Sequence, residues 1–473
     1  MNIPLNEIQI DASSYADFNG RVFQWNDKIF RGIFPAKKEL YQELFQQGLV
    51  DDLISNYQFV PTKITDYHLP EFHLILQHKK VEQKSYCVEW PAPMLKEAAL
   101  VTLHLNLKLL HHQLILQDAY PWNIYFEGCK PIFIDFSSIE KIDKKILWKP
   151  QEQFYSFFYF PLLLAEDKKE YIARKLLFNY CHGISREDLF PLLSLSFKWK
   201  HPLFSFENMV FNSLVKLMTW YPSLEGKMIN ASQKAHQRFC DEKTRIQFMS
   251  KLIRKIESIS FPIRNKIWFD YDQHRIFQEK HVNKIQKVEI IDKILTQDKP
   301  KTLLDIGCNR GEFSILSAKK GIQVIAIDSD EACIADLYQQ AKQQAYTILP
   351  LVIDFTNPTP AFGWNAEQFP SALVRLRSDM ILALAVIHHW VFKQRQTFDR
   401  IVKTLHQLSQ QTLLLEFVEF KDEMIQQWKP NNFEWYTLEN LKITLEKYFS
   451  IIDVFDSDRP TRKLLLCRRK TVL

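Results

Sequence analysis

Short apolar runs alternate with amphipathic segments from about residue 280 to the end of the chain. The first four runs occupy residues 302–306, 323–327, 348–353 and 379–387. Nearly continuous apolar runs of this length are typical of parallel strands that are buried on both faces. The intervening segments have helical periodicity, so the pattern predicts a doubly wound α/β sheet.

Three further strands are predicted beyond residue 400. A fifth apolar run covers residues 412–418, and the runs at 449–455 and 463–468 favour an antiparallel pair at the end of the chain. Helices are predicted between the strands, at residues 280–296, 312–319 and 330–344. This part of the chain therefore has the elements of a seven-stranded Rossmann-like domain.

The N-terminal half has a different pattern. Its apolar faces predict helices at residues 94–116, 151–166, 169–181, 206–220 and 232–259. Pro262 disfavours a helical conformation at Phe261, which suggests a domain boundary there. We therefore divide the chain into an α+β region at residues 1–93, a helical lobe at 94–260 and an α/β domain at 261–473.

Composition narrows the class of protein. The 473 residues are 46% apolar and 25% charged, and the net charge of +6 is spread along the chain. A nucleic-acid partner is not expected, because it would require a clustered basic face. The longest apolar stretch, residues 154–165, is too short for a membrane span, and the first residues do not resemble a signal peptide. Seven cysteines without a CxxC pair favour a reduced, cytoplasmic protein.

Glycine is rare in this chain, yet three of its ten glycines lie close together. Gly307 and Gly311 belong to the turn that follows the first strand, and Gly321 follows the next helix, where it is predicted to end that helix. A glycine turn at the carboxyl end of a strand lets backbone groups approach a nucleotide closely. Asn309 lies between the first two glycines, at a position where glycine is common.

Two acidic residues end the next two strands. Asp328 lies about 20 positions beyond the turn, where a carboxylate can bind both ribose hydroxyls. Asp354, followed by Phe355, could bind and cover an adenine. A strand, a glycine turn and one carboxylate would also fit NAD, but the turn here is GxNxG rather than GxGxxG, and Asp354 adds a third point of contact. A Rossmann-like domain without a ligand is the remaining alternative.

Together these motifs resemble class I S-adenosylmethionine-dependent methyltransferases. The segments at 357–365, 378–389 and 415–418 further resemble the NoeA-like subfamily, and the likeness covers most of residues 270–470. The resemblance implies S-adenosylmethionine as the cofactor. It also implies these cofactor-binding residues: Asp305, Gly307, Cys308, Asn309, Gly311, Asp328, Ser329, Asp354, Phe355 and Ala385.

Candidate catalytic residues follow the fourth predicted strand. If the acceptor is a hydroxyl, His388 or His389 could take its proton, provided that its pKa is near neutral. Side chains alternate along a strand, so one histidine, His388, is expected to reach the pocket. In the alternative, both histidines only shape the pocket wall. Glu416 could line the acceptor side or cap a turn, and the aromatic residues Trp268 and Tyr271 could cover the cofactor.

A second motif lies in the N-terminal half. Asp118 is followed by Asn123, a hairpin, and Asp135 at the end of an apolar strand. This spacing resembles the catalytic and metal loops of protein-kinase-like folds, and NoeA-like methyltransferases carry the same loop. The resemblance implies a base at Asp118, magnesium ligands at Asn123 and Asp135, and ATP as a further cofactor.

Several kinase motifs are missing. The sequence has neither a glycine-rich loop nor a V-A-I-K strand to hold phosphates, so a structural or acceptor-binding role is expected for this kinase-like half. The predicted function is methyl transfer to a small molecule or a modified sugar or lipid. The alternatives are a bifunctional protein with an active phosphotransferase, and a scaffold that binds the cofactor without catalysis.

Overall fold

The computed structural model describes residues 1–220, 240–261, 281–428 and 431–471. Trp268 and Tyr271, and part of the helix predicted at 232–259, lie outside the described residues. The chain forms two compact units. One consists of residues 1–126 and 131–262, and the other consists of residues 127–130 and 263–473.

The first unit begins with a five-stranded antiparallel sheet in the order β1-β2-β3-β5-β4. Asn26 and Asp27 both have positive φ, which is the turn geometry that a tight hairpin between β2 and β3 requires. The buried rings of Phe23 and Phe30 stack across this hairpin at 5.6 Å. The strands are β1 Gln9–Ile10, β2 Gly20–Trp25, β3 Lys28–Ile33, β4 Thr62–Ile64 and β5 Leu74–His78.

Helices and short hairpins complete this unit. Strand β6 pairs with β9, and β7 pairs with β8. The helices are α1 Lys38–Gln46, α2 Leu49–Asn56, α3 Ala92–Leu110, α4 Gln151–Phe154, α5 Phe160–Glu166, α6 Glu170–Leu177, α7 Arg186–Leu192, α8 Leu195–Lys200, α9 Pro202–Trp220 and α10 Glu242–Glu257. The strands are β6 Leu114–Leu116, β7 Ile124–Glu127, β8 Lys130–Phe133 and β9 Ile139–Lys141.

Two predictions for this unit need adjustment. The helix predicted at 94–116 ends at Leu110, because Gln113 turns the chain with a positive φ and the following residues form β6. The apolar stretch at 154–165 is helical, but a π-helical turn, Tyr155–Tyr159, separates α4 from α5. In the parts of the chain that the structure describes, no helix has the length and apolarity needed to cross a membrane.

The second unit is a seven-stranded mixed sheet in the order β12-β11-β10-β13-β14-β16-β15. The first five of its strands run parallel, and β16 pairs antiparallel with both β14 and β15. This confirms the predicted doubly wound sheet with an antiparallel pair at its end. The strands are β10 Thr302–Ile306, β11 Gln323–Asp328, β12 Ile348–Val352, β13 Ser378–Ala383, β14 Ser409–Val418, β15 Phe449–Asp456 and β16 Arg462–Arg469.

The helices of this unit pack around the sheet. They are α11 His281–Asp298, α12 Glu312–Ala318, α13 Glu331–Gln343, α14 Ala372–Arg375, α15 Ile387–Phe392, α16 Phe398–Leu408, α17 Glu423–Gln426 and α18 Leu438–Glu446. Gly321 follows α12 with φ +79°, as expected for a residue that ends a helix.

The prediction for the fourth strand is wrong at its carboxyl end. Strand β13 ends at Ala383, and α15 begins at Ile387, so the predicted strand 379–387 runs too far. The apolar run continues because both the strand and the first turn of the helix are buried. Ala385, with φ +52°, makes the turn between them, a conformation that the run of apolar residues does not indicate.

The strand order reverses at β10. The chain proceeds outward from β10 to β11 and β12, then crosses to β13 and β14 on the other side. In an open α/β sheet such a reversal leaves a crevice at the carboxyl ends of the central strands. Most of the predicted site residues of this unit lie at or just after the carboxyl ends of β10, β11, β12 and β13.

Candidate active site

The glycine turn after β10 is tightly packed. Gly307 has φ +71° and Gly311 has φ +79°. A Cβ atom at Gly307 would lie 2.3 Å from Cγ1 of Val386, and one at Gly311 would lie 2.4 Å from Cδ1 of Leu337. Both positions therefore need glycine for backbone conformation and for space.

Asn309 occupies the middle of this turn with φ +51°. Asparagine is one of the few residues other than glycine that adopts the left-handed conformation at low cost. Its backbone N–H donates to Oδ2 of Asp328 at 2.9 Å. The turn and the second strand end are thereby fixed to each other, which explains why Asn309 can replace glycine here.

The three predicted carboxylates are held differently. Asp328 accepts backbone N–H groups of Asn309 and Asp330, each at 2.9 Å, and burial raises its pKa. Asp305 is 3% exposed and accepts the Ser314 hydroxyl at 2.6 Å. Burial, with a smaller contribution from Asp328, raises the pKa of Asp305 to about 6.

The third carboxylate, Asp354, accepts hydrogen bonds from the residue two positions further on. Oδ1 of Asp354 accepts hydrogen bonds from the backbone N–H and the hydroxyl of Thr356. The neighbouring Phe355 ring stacks on Trp390 with a centroid distance of 4.1 Å. Among the residues that the structure describes, Oδ2 of Asp354 has no hydrogen-bond partner, and it lies beside this aromatic pair.

These groups line one cavity of about 460 Å³ in the second unit. Gly311, in contrast, does not line it and instead precedes α12 as its N-cap residue. The predicted residues that line the cavity are Asp305, Gly307, Cys308, Asn309, Asp328, Ser329, Asp354, Phe355, Ala385, His388 and His389.

Both histidines reach the cavity, because they lie on α15 and not on a strand. The expectation that only His388 would reach it is therefore wrong. Burial lowers the pKa of His389 to about 4 and that of His388 well below its ordinary value, and the charges of Arg462 and Lys393 lower both further. Neither histidine has the near-neutral pKa that the sequence analysis required of a base.

Glu416 has a role that the sequence analysis did not foresee. It is fully buried and accepts a hydrogen bond from Lys287 Nζ at 2.6 Å and another from the Ser457 hydroxyl. Glu416 does not line the cavity, but Lys287 does. The carboxylate of Glu416 therefore compensates the buried ammonium group of Lys287 at the cavity wall, although the two residues are 129 positions apart in the sequence.

Several other cavity residues were also missed. Arg310, Phe313, Lys393 and Arg462 line the cavity, although the sequence analysis did not single them out. Arg310 lies within the glycine turn and Phe313 just after it, so both could have been inferred from their place beside the motif. Arg462 lies on β16 and reaches the cavity through the packing of a distant strand, for which periodicity and spacing give no signal.

The motif in the N-terminal half forms a compact polar cluster. Asn123 Nδ2 donates to Asp135 Oδ2 at 3.5 Å. Arg31, a buried residue of β3, contacts Asp135 Oδ1 at 3.1 Å and Asp17 Oδ2 at 2.7 Å. Burial, followed by the charge of Asp135, raises the pKa of Asp118 to about 6.

Arg31 changes the interpretation of this cluster. Its guanidinium already compensates the carboxylate that the kinase resemblance assigns to magnesium. Among the described residues, no group of three or more histidine, cysteine, aspartate or glutamate side chains could hold a metal ion. Within this cluster, Arg31 supplies a positive charge beside Asp17 and Asp135.

The sequence of residues 277–448 matches a family model described as a methyltransferase domain. This part of the chain is a methyltransferase domain. The predicted class, an S-adenosylmethionine-dependent class I methyltransferase, is confirmed, with S-adenosylmethionine as its cofactor.

The methyltransferase domain belongs to a longer region of similarity. The chain is 26% identical over 432 residues to nodulation protein NoeA of Rhizobium meliloti (strain 1021), and the aligned region covers 88% of this chain and 86% of the relative. The prediction of a NoeA-like protein is therefore confirmed.

Solved structures resemble the chain more distantly. Magnesium protoporphyrin IX methyltransferase from Synechocystis PCC 6803 with bound SAM is 19% identical, with coverage of 44% of this chain and 93% of that chain and a TM-score of 0.31. The bifunctional kinase-methyltransferase WbdD is 18% identical, and the match covers 44% of this chain and 43% of that chain with a TM-score of 0.30. These scores are too low to support an inference.

Proposed function

We propose that the chain transfers a methyl group from S-adenosylmethionine to a small-molecule acceptor, such as a modified sugar or lipid. The observation that carries this proposal is the cavity at the ends of β10, β11 and β13, lined by all the predicted donor-binding residues except Gly311. A cavity of about 460 Å³ is of the size that small ligands occupy.

The cavity fits the donor in shape and charge. A side chain at Gly307 would clash with Val386, which also lines the cavity, so glycine preserves the shape of this wall. In this proposal Asp328 binds the ribose hydroxyls, the free oxygen of Asp354 binds the adenine, and Phe355 covers the ring. The donor supplies an activated methyl group on a positively charged sulfur, and the ionised carboxylate of Asp305 favours the positive charge nearby.

The chain's contribution to transfer is alignment and exclusion of water. Trp390 and Phe355 close the cavity with an aromatic stack, and His388 and His389 form its wall. Because both imidazoles are neutral at pH 7 and weakly basic, they act here as hydrogen-bonding groups that orient the acceptor. This supports the alternative in which the histidines shape the wall without carrying a proton away.

For the first unit we propose a kinase-like scaffold, divided at about residue 93 into a small α+β lobe and a helical lobe. The ion pair between Arg31 and Asp135 supports a structural or acceptor-binding role. A phosphotransferase is the second candidate, and the proximity of Asn123 to Asp135 favours it. On that reading Asp118 would be the base, and ATP with magnesium would bind at this cluster.

Calorimetry on the full chain separates these functions. We expect S-adenosylmethionine to bind to the natural protein and bind much more weakly to Asp328→Ala, whereas ATP with magnesium should not bind. Unchanged donor affinity in Asp328→Ala would contradict the proposed site. Binding of ATP with magnesium that is lost in Asp135→Asn would establish the phosphotransferase candidate instead.

The acceptor can then be sought directly. A donor with a labelled methyl group is incubated with fractionated small molecules and lipids from the source cells, and the labelled product is isolated. Label transfer that Asp328→Ala abolishes would support methyl transfer. Tight donor binding without transfer to any fraction would favour the scaffold that binds the cofactor without catalysis.

A further inference from the structure

Most charged side chains of the cavity follow the order of the strands. The acidic side chains of its lining, Asp305, Glu312, Asp328 and Asp354, lie on β10, at the start of α12, or at and just after the ends of β11 and β12, together with the cations Lys287 of α11 and Arg310 of the glycine turn. Beyond the reversal point, the cavity is lined by His388, His389 and Lys393, which lie on or directly after α15, and by Arg462 of β16. We refer to these four residues as the basic wall.

Within the basic wall, Arg462 has side-chain nitrogens that can still donate hydrogen bonds to a ligand. It is 7% exposed, and its Nε donates to Oδ2 of Asp422 at 3.3 Å. Its Nη1 lies 3.9 Å from Asp458, which is too far for a hydrogen bond. Among the described residues, neither Nη nitrogen has a hydrogen-bond acceptor, and Arg462 is one of the residues that line the cavity.

Burial acts to lower the pKa of Arg462, but Glu416, Asp458 and Asp422 compensate its charge and raise that pKa. The two Nη nitrogens are not among the fully buried polar atoms that have no partner, so they can still donate to a ligand or to water. Asp422 cannot supply the missing acceptors, because its Oδ1 caps α17 through Met424 and its Oδ2 also accepts the Thr461 hydroxyl. The two Nη groups form a planar fork that matches the two oxygens of a carboxylate or phosphate.

The rest of the basic wall has the same electrostatic character. Lys393 Nζ lies 4.3 Å from the centroid of the Trp428 ring, which stacks on His388 at 5.7 Å. Lys393 and Arg462 both lower the pKa of the two histidines, after the larger effect of burial. The two permanent cations therefore act on the same part of the cavity.

We propose that the basic wall binds an oxyanion of the methyl acceptor, so that the acceptor is a small molecule with a carboxylate or phosphate group. Arg462 donates to the oxyanion through its Nη nitrogens, Lys393 supplies a second positive charge, and the imidazoles form the surrounding surface. This inference rests on the proposed function, because it assigns the basic wall to the acceptor and the opposite, acidic wall to the donor.

The inference is tested with simple anions on the full chain saturated with S-adenosylhomocysteine. Inorganic phosphate and acetate are titrated separately by calorimetry. We expect one of them to bind, and its affinity to fall at least roughly tenfold in Arg462→Gln and in Lys393→Gln, since a charge-assisted hydrogen bond contributes about 1.5–3 kcal/mol. A preference for phosphate or for acetate identifies the group that the acceptor carries.

Lys463→Gln is the matched control, because Lys463 is adjacent in sequence, is more exposed and pairs with Asp456 instead of lining the cavity. Retained binding of S-adenosylhomocysteine shows that each variant is folded. If Arg462→Gln fails to fold, Lys393→Gln still tests the wall. The inference is overturned if neither anion binds to the natural protein, or if Lys463→Gln weakens binding equally.

The donor's own carboxylate is the main competitor for Arg462. If Arg462→Gln weakens the binding of S-adenosylmethionine as strongly as Asp328→Ala does, Arg462 binds the methyl donor and the inference is wrong. If the natural protein does not bind S-adenosylhomocysteine at all, the proposed function fails. The anion titration is then repeated without it, and loss of anion binding in Arg462→Gln would still establish the basic wall.

Discussion

At the scale of single residues, burial shifts the pKa values of titratable groups, and the local sequence does not indicate these shifts. Asp305 and His389 line the same cavity, and burial moves their pKa values in opposite directions, to about 6 and about 4. In each case the neutral form is favoured because charge is poorly solvated there. A positively charged methyl donor would favour the ionised form of Asp305, whereas it would further favour the neutral form of His389.

We therefore expect the affinity for S-adenosylmethionine to depend on pH. The donor favours the ionised form of Asp305, and this carboxylate becomes protonated as the pH falls through about 6. Affinity should be constant above that value and fall by up to about tenfold per pH unit below it. Calorimetry with S-adenosylmethionine from about pH 5 to about pH 8 measures this dependence.

Asp305→Asn provides the control for this prediction. The variant keeps the shape of the side chain but cannot ionise, so its affinity should be lower and nearly independent of pH. An equally steep pH dependence in Asp305→Asn would assign the effect to another group.

At the scale of elements, the strand, turn and helix around Gly307 illustrate how the backbone prepares the site. The turn holds its positive φ values through contacts with β11 and with the loop before α15. The sequence indicates this turn correctly because glycine and asparagine are the residues that such φ values demand. It does not indicate where β13 ends, because the apolar run continues into a buried helix.

We expect Gly307→Ala to weaken donor binding at least roughly tenfold. The substitution strains the backbone by about 1–2 kcal/mol, and its Cβ would lie 2.3 Å from Val386 Cγ1, so the turn must shift. Gly321→Ala is the matched control, since Gly321 also has positive φ but open space around it. It should cost about 1–2 kcal/mol of stability without changing donor affinity. Equal donor affinities for the two variants would contradict this account of the turn.

The ion pairs of Arg31 give a prediction about the sheet of the first unit. Arg31→Met leaves Asp17 and Asp135 buried without their cation, so we expect a loss of about 3–5 kcal/mol in the free energy of unfolding. Adding Asp135→Asn should restore part of that loss, because one uncompensated charge disappears. Urea unfolding followed by tryptophan fluorescence measures both effects. No recovery in the double variant would mean that Asp135 is not the partner that matters.

At the scale of the whole molecule, the chain consists of two compact units with separate sets of buried charges. We expect thermal unfolding to show two transitions, of which S-adenosylhomocysteine raises one. A ligand at roughly 100 times its dissociation constant stabilises its unit by about 2.7 kcal/mol. Calorimetric scans with and without the ligand measure the shift, and Asp328→Ala should abolish it. ATP with magnesium should raise neither transition, and a shift of the other transition would support the phosphotransferase.

The sequence by itself determined the seven strands, the glycine turn and the acidic residues that end β11 and β12. These features are local, because side-chain periodicity, left-handed φ values and spacing along a strand are set within a few residues. The tertiary structure alone decided which charges share the cavity and what surrounds them. Lys287 meets Glu416 across 129 positions, and Arg31 of β3 reaches Asp135, which follows β8. Such pairings depend on how whole elements pack, and the same packing buries His388, which lowers its pKa, and brings Arg462 of β16 to the cavity.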